Sequence, residues 1–251
     1  MLNIRKSFIY LAAILSFAAV SCQLDDTLYY GNFTMGNVVD GKFISDQGNT
    51  FNIVEQSCGG KLELQKRAIV YCDVLNETKG ATDEYDIRLI QFAPVLEKNP
   101  IEAATATEEE KVEDPIQIVS LWFSGGYINL ELISHIKKED SQKHLINLVY
   151  TKDKDGVYNL TLRHNAFGEV YSEETADELI ITPNGSYVSF PLTFIKEDEA
   201  KLIFNWKWYE TPGAGYDFSR IKENKFEYKW KREGFQQVPN TATLVTSYSL
   251  K

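Results

Sequence analysis

Cysteine and histidine are scarce in this 251-residue chain, at three residues each. A Cys/His zinc site therefore has few ligands to draw on. There is no Gly-x-Ser-x-Gly nucleophile elbow, no Walker-type glycine loop and no dinucleotide fingerprint. Positive charge is also short: 26 Lys and Arg stand against 36 Asp and Glu, a net charge of −10. A phosphate backbone is bound by concentrated Lys and Arg, so nucleic acid is disfavoured as a partner. Long apolar runs are missing too. Phe8 to Val20 falls short of the roughly 20 residues a helix needs to cross a bilayer.

That run follows Arg5 and Lys6 and ends in Ala19-Val20-Ser21-Cys22, the layout of an export signal. Small residues directly before a cysteine resemble a bacterial lipoprotein signal, which implies cleavage after residue 21 and acylation of Cys22. An ordinary signal peptide with a chance cysteine is the competing reading. Losing Arg5 and Lys6 with residues 1–21 takes the net charge from −10 to −12. Such acidity argues against adhesion to anionic lipid, so the acyl chains would make the membrane link. Gln23-Leu24-Asp25-Asp26 resembles the short acidic tag of surface-exported lipoproteins of the Bacteroidota, the periplasmic leaflet being the alternative. Asp26-Thr27-Leu28 resembles an O-glycosylation site of that phylum.

What is abundant is β pattern. Ile128, Leu130 and Leu132 alternate with Asn129 and Glu131, and Tyr158, Leu160 and Leu162 with Asn159, Thr161 and Arg163. A period of two marks a strand with one buried face. The same period extended past Leu132 sets Ile136 inward and His135 on the polar side. Val119 to Phe123 is apolar on both faces, as expected of a strand covered on both sides. Asp155-Gly156 and Asp46-Gln47-Gly48-Asn49 supply hairpin turns. Leu179-Ile180-Ile181 and Tyr187 to Leu192 read as another hairpin across Pro183-Asn184-Gly185. Leu202 to Tyr209 should pair with Phe226 to Trp230 across Gly213-Ala214-Gly215. No long helical period or internal repeat is present.

These signals give an all-β chain: signal peptide 1–21, tether 22–36, a small β domain 37–101, an acidic linker 102–115 and a β-sandwich 116–251. The linker is assigned because Glu108-Glu109-Glu110 has no apolar period. Val238-Pro239 opens a final edge strand or a tail.

Candidate sites are few. Cys58 and Cys72 are far enough apart in sequence to bridge neighbouring strands, and export permits a disulfide; a buried free Cys72 is the equal alternative. His164 shares the phase of Leu160 and Leu162, the position of a hydrogen-bonded core histidine. His144 precedes a strand carrying Ile146 and Leu148. No metal site is assigned, but a metal, if bound, would draw on His135, His144, His164 and Glu131. Ser124-Gly125-Gly126 is a turn. A glycosidase carboxylate pair leaves no local signature, so a hydrolase stays a third reading. Trp206 and Trp208 share a face with Phe204, and Trp230 with Phe226 and Tyr228. Exposed, Trp206, Trp208 and Trp230 would form a sugar-stacking platform; turned inward, they are core, and their alternation with lysines favours core. Residues 37–101 carry seven basic and ten acidic residues, a net of −3, which again disfavours single-stranded nucleic acid.

Residues 116–251 resemble the C-terminal β-sandwich of the NigD-like lipoproteins of the Bacteroidota. The match is carried by Tyr127-Ile128-Asn129-Leu130, Lys143-His144, Leu162-Arg163-His164-Asn165-Ala166 and Val188-Ser189-Phe190. Arg67-Ala68-Ile69-Val70-Tyr71 and Tyr85-Asp86-Ile87-Arg88-Leu89 resemble that family's N-terminal OB-like domain. The resemblance implies an OB-like barrel followed by a sandwich, with no activity, cofactor or catalytic residue to carry over. The functional expectation is a lipid-anchored, non-catalytic accessory or binding module of the outer membrane, working alone or in a protein complex. A glycan-binding envelope protein is the alternative.

Overall fold

The computed structural model describes residues 34–62, 65–139, 142–181, 185–210 and 217–232. Cys22 and the signal lie outside them. Among the described residues there is no α-helix.

β1 (Thr34–Val39), β2 (Lys42–Ser45), β3 (Thr50–Gln56), β4 (Arg67–Glu77) and β5 (Glu84–Pro94) close into a five-stranded barrel. Around it the order is β1-β2-β3-β5-β4, with β3 and β5 parallel. Phe43, Phe51, Val70, Ile87 and Leu89 fill the interior through the expected alternation. Gly36 is obligatory in β1, because a Cβ there would stand 2.2 Å from the Ile44 carbonyl oxygen. The barrel begins at Thr34, inside the expected tether.

Two sheets form the sandwich. One joins β7 (Ile101–Glu102), β11 (Leu145–Lys152), β12 (Tyr158–Asn165), β15 (Glu199–Glu210) and β16 (Asp217–Lys231), in the order β16-β15-β12-β11-β7. The other joins β6 (Leu96–Glu97), β8 (Gln117–Ser124), β9 (Tyr127–Ile133) and β14 (Ser186–Pro191), in the order β6-β14-β9-β8. Ile128, Leu130, Phe190, Leu148, Leu160 and Phe204 meet between them. The turns at Gly48, Gly125-Gly126 and Gly156 all use positive φ, as expected at these hairpins.

Three expectations fail, each for a local reason. The acidic segment 102–115 is not a free linker. Thr107 and Glu110 cap a 3-10 turn at Glu109–Lys111: Thr107 N–H and Oγ1 donate to Glu110 Oε2 at 2.9 and 3.0 Å, and Glu110 N–H donates back to Thr107 Oγ1 at 3.3 Å. This is the Thr-x-x-Glu reciprocal cap, and those bonds hold the Glu110 carboxyl below its usual range. Glu113 then pairs with Arg163 and Lys207, so its charge anchors the segment to the sandwich. Already at β6 and β7, the chain pairs with β14 and β11.

Leu179–Ile181, here β13, does not form a hairpin with the following strand. It pairs with β10 (His135–Lys137), whereas β14 pairs with β9 and β6. The chain changes sheets between them. For the same reason the alternation breaks at Ser134, between β9 and β10. His135 turns inward and is buried, and Ile136 is only half-buried.

Candidate functional site

The outer face of the β6-β14-β9-β8 sheet is polar in pattern, yet its centre, at Asn129 and Ser189, is fully buried. The barrel docks on it. Met35, Ile69 and Val95 from the barrel side pack against Trp122 and Tyr187, which is why the strand through Trp122 is apolar on both faces.

A buried ionic network lies beside this contact. Arg67 heads β4 and is fully buried, as are Asn129 on β9 and Ser189 on β14; Asp46, after β2, is 5% exposed. Arg67 grips Asp46 through both terminal nitrogens, at 2.9 and 2.7 Å. Its remaining donors reach Asn37 Oδ1 at 3.0 Å, Asn129 Oδ1 at 3.0 Å and Ser189 Oγ at 2.8 Å. All five guanidinium N–H groups are thereby used. The Ser189 hydroxyl donates to Asn129 Oδ1 at 2.6 Å. Asn129 Nδ2 donates to Ser124 Oγ at 3.0 Å, and Ser124 donates to Asp46 Oδ2 at 2.5 Å. The ring of bonds closes across both domains, and Tyr127 covers the guanidinium at 4.0 Å from its centroid. Gly125 permits the approach: a Cβ there would fall 2.3 Å from Asp46 Oδ1.

A second buried chain links His164, His144 and Glu169. His164 Nδ1 lies 3.1 Å from the Pro115 carbonyl, which can only accept, so that nitrogen donates. Its Nε2, 2.9 Å from His144 Nδ1, must then accept. His144 Nε2 faces Glu169 Oε2 at 3.3 Å, so this last contact requires one further shared proton. Glu169 also accepts the backbone N–H of Lys137 at 2.8 Å and of Gln142 at 3.0 Å. Burial and the neighbouring His144 pull the His164 pKa down to about 4. This chain has the residue types of a catalytic relay, but it ends on a backbone carbonyl where a nucleophile would have to stand.

The residues suggested for a metal do not converge. His135 sits in an aromatic nest, with ring centroids of Tyr171, Trp208, Tyr209 and Phe218 between 5.2 and 6.0 Å away. Burial pushes its pKa down to about 4. Glu131 bonds Ser120 at 3.2 Å, and His144 and His164 bond each other. Among the described residues, no group of three His, Cys, Asp or Glu side chains is arranged to hold a metal ion.

Trp206, Trp208 and Trp230 are 7, 7 and 8% exposed. They are core residues of the sandwich, so they offer no platform for a sugar ring. Cys58 and Cys72 are free thiols, the first half-buried and the second buried; burial raises the Cys72 pKa to about 11, the setting of an inert core cysteine. A depression of about 310 Å³ is lined by Lys137, Lys138, Glu139 and Glu178. Among the described residues, its lining includes none of the three histidines.

Sequence reasoning missed Asp46, Arg67 and Glu169. Arg67 stood directly before an apolar strand, a place where a charge signals either solvent or a buried partner.

Residues 99–219 match the family model of the NigD-like C-terminal beta sandwich domain. Among solved structures, the chain is similar to a NigD-like immunity protein from Bacteroides caccae, at 19% identity and a TM-score of 0.54, covering 78% of this chain and 95% of that one. It is similar to a proposed lipoprotein from Bacteroides fragilis, at 17% identity and a TM-score of 0.55, covering 80% and 98%. A proposed toxin-related protein from Parabacteroides distasonis follows at 18% identity and a TM-score of 0.52, covering 80% and 92%. At these identities the likeness is one of fold. No curated protein matches the chain.

Proposed function

Starting from a chain that belongs to the NigD-like family through its residues 99–219, we propose a lipid-anchored, non-catalytic envelope protein that works by surface contact. The observation that carries this reading is the Arg67 network. The most strongly polar buried groups of both domains are spent on one another, joining barrel and sandwich into a single body. The second buried chain likewise closes on a backbone carbonyl. An enzyme of this size needs convergent, accessible acid–base groups; here the histidines are buried and engaged. What remains for recognition is the outside of a rigid two-domain scaffold. Acyl chains on Cys22 would hold it to the outer membrane, facing the cell surface. The glycan-binding alternative loses the tryptophan platform that recommended it.

Gentle detergent extraction from the native membrane, followed by identification of what co-purifies, tests the reading. A stoichiometric outer-membrane protein is the expected result; a solitary protein with hydrolase activity would overturn it. A Cys22→Ala chain should appear in the soluble envelope fraction. If it fractionates with membranes as before, the lipid anchor is wrong.

A further inference from the structure

We propose that β16 is a self-pairing edge, through which two copies of this chain join their five-stranded sheets into one. β16 is terminal in its sheet, with β15 on one side and no described strand on the other. At 15 residues it is also the longest strand, running Asp217–Lys231. Its last part lies beyond the 99–219 family match.

The charge order along this edge is self-complementary. Glu223, Lys225, Glu227 and Lys229 are exposed and occupy successive positions on the outward face. An acid–base–acid–base order meets its opposite when a second copy runs antiparallel with Phe226 on the two-fold axis. Glu223 then faces Lys229 of the second copy, and Lys225 faces Glu227. Four cross-strand ion pairs form by symmetry, the arrangement an isologous contact demands. On the other face Phe226 meets its own copy, and Tyr228 lies opposite Asn224. Phe226 and Tyr228 already pack on the sandwich core while half-buried, so the pairing would extend that core across the axis. A register with Lys225 on the axis would set Glu223 against Glu227, which disfavours the slip.

Local charge supports a second copy as the occupant. Residues 217–231 carry five basic and three acidic residues on a chain of net charge −10. The edge is thus not part of the acidic surface, and its alternating charges rather than its net charge set the pairing. Within each copy Lys225 and Lys201 already hold Glu227 at 3.0 Å, presenting its carboxylate at the face.

Two experiments read this directly. Residues 23–251, which contain the whole described body, should sediment at twice the protomer mass. E223K/E227K and K225E/K229E should each sediment as monomers, and an equimolar mixture of the two should recover the dimer. All four positions are exposed, so folding should be unchanged by circular dichroism. In native membranes, full-length Phe226→Cys should form a disulfide-linked homodimer, whereas Asn224→Cys should not. A monomeric parent chain overturns the proposal. So does a dimer that ignores the charge reversals, or a Cys at 226 that captures only a different protein.

Discussion

Replacing Arg67 by Met should lower stability by about 3–5 kcal/mol, the range for breaking one side of a buried ion pair. For a body of this size that is roughly 10 °C in melting temperature. The loss comes from what is left behind. Asp46, at 5% exposed, would lose the two guanidinium bonds that offset its burial. Asn129 and Ser189 would each lose a donor at a site closed to water. The surface pair Arg88–Glu55, with both side chains well exposed, gives the contrast: Arg88→Met should leave the melting temperature nearly unchanged. Adding Asp46→Ala to Arg67→Met should recover part of the loss, since the stranded carboxyl group is then gone. Thermal unfolding followed by circular dichroism measures all four chains. The network also spans the two domains, so the single variant should separate their unfolding into two steps. A single sharp transition with a loss under about 1 kcal/mol would mean that the apolar contact around Trp122 holds the domains without it.

The strands were legible because each carries its own evidence. Ile128 and Leu130 alternate with Asn129, and Leu160 and Leu162 with Thr161, whatever lies elsewhere in the chain. The use of the polar face was not legible. Asn129 and Ser189 occupy positions that alternation assigns to water, and only the docked barrel makes them interior. That fact depends on Arg67, more than 60 residues away in sequence from Asn129. Val119 to Phe123 was the one local hint, through its apolar character on both faces. The acidic segment misled for another reason. Charge density suggested solvent, while Thr107 and Glu110 held the spacing of a reciprocal cap. His135 was misplaced because one residue, Ser134, breaks the period. Notably, the residues behind the family resemblance include Arg67, Asn129, Ser189, His144 and His164. They belong to the two buried polar networks, so the resemblance points at architecture.

The second large effect is on pH. His164 and His135 each have a pKa pushed down to about 4, mainly by burial, against an ordinary value near 6.5. The unfolded chain therefore binds protons at these sites before the folded protein does. Stability is full above about pH 6.5 and falls as pH drops toward 4, because protonation pulls the chain toward the unfolded state. At about 1.4 kcal/mol per unit the full shifts set an upper bound; with residual solvation, about 2–4 kcal/mol for the pair is expected. The exposed carboxylate with the largest shift lies outside this window. Glu197 has its pKa drawn down to about 2 by its bonds to Lys152 and Tyr158, so its contribution is lost only below about pH 4.5, the ordinary carboxylate range. Denaturant midpoints taken between about pH 7 and pH 5 should therefore fall as the two histidines take up protons. His135→Phe keeps an aromatic ring among Tyr171, Trp208, Tyr209 and Phe218 and removes one titrating site. Its stability should decline less steeply with acid, and at pH 5 it should exceed that of the parent chain. A parent chain with flat stability across this window would show that both imidazoles are reached by water and charge freely within the fold.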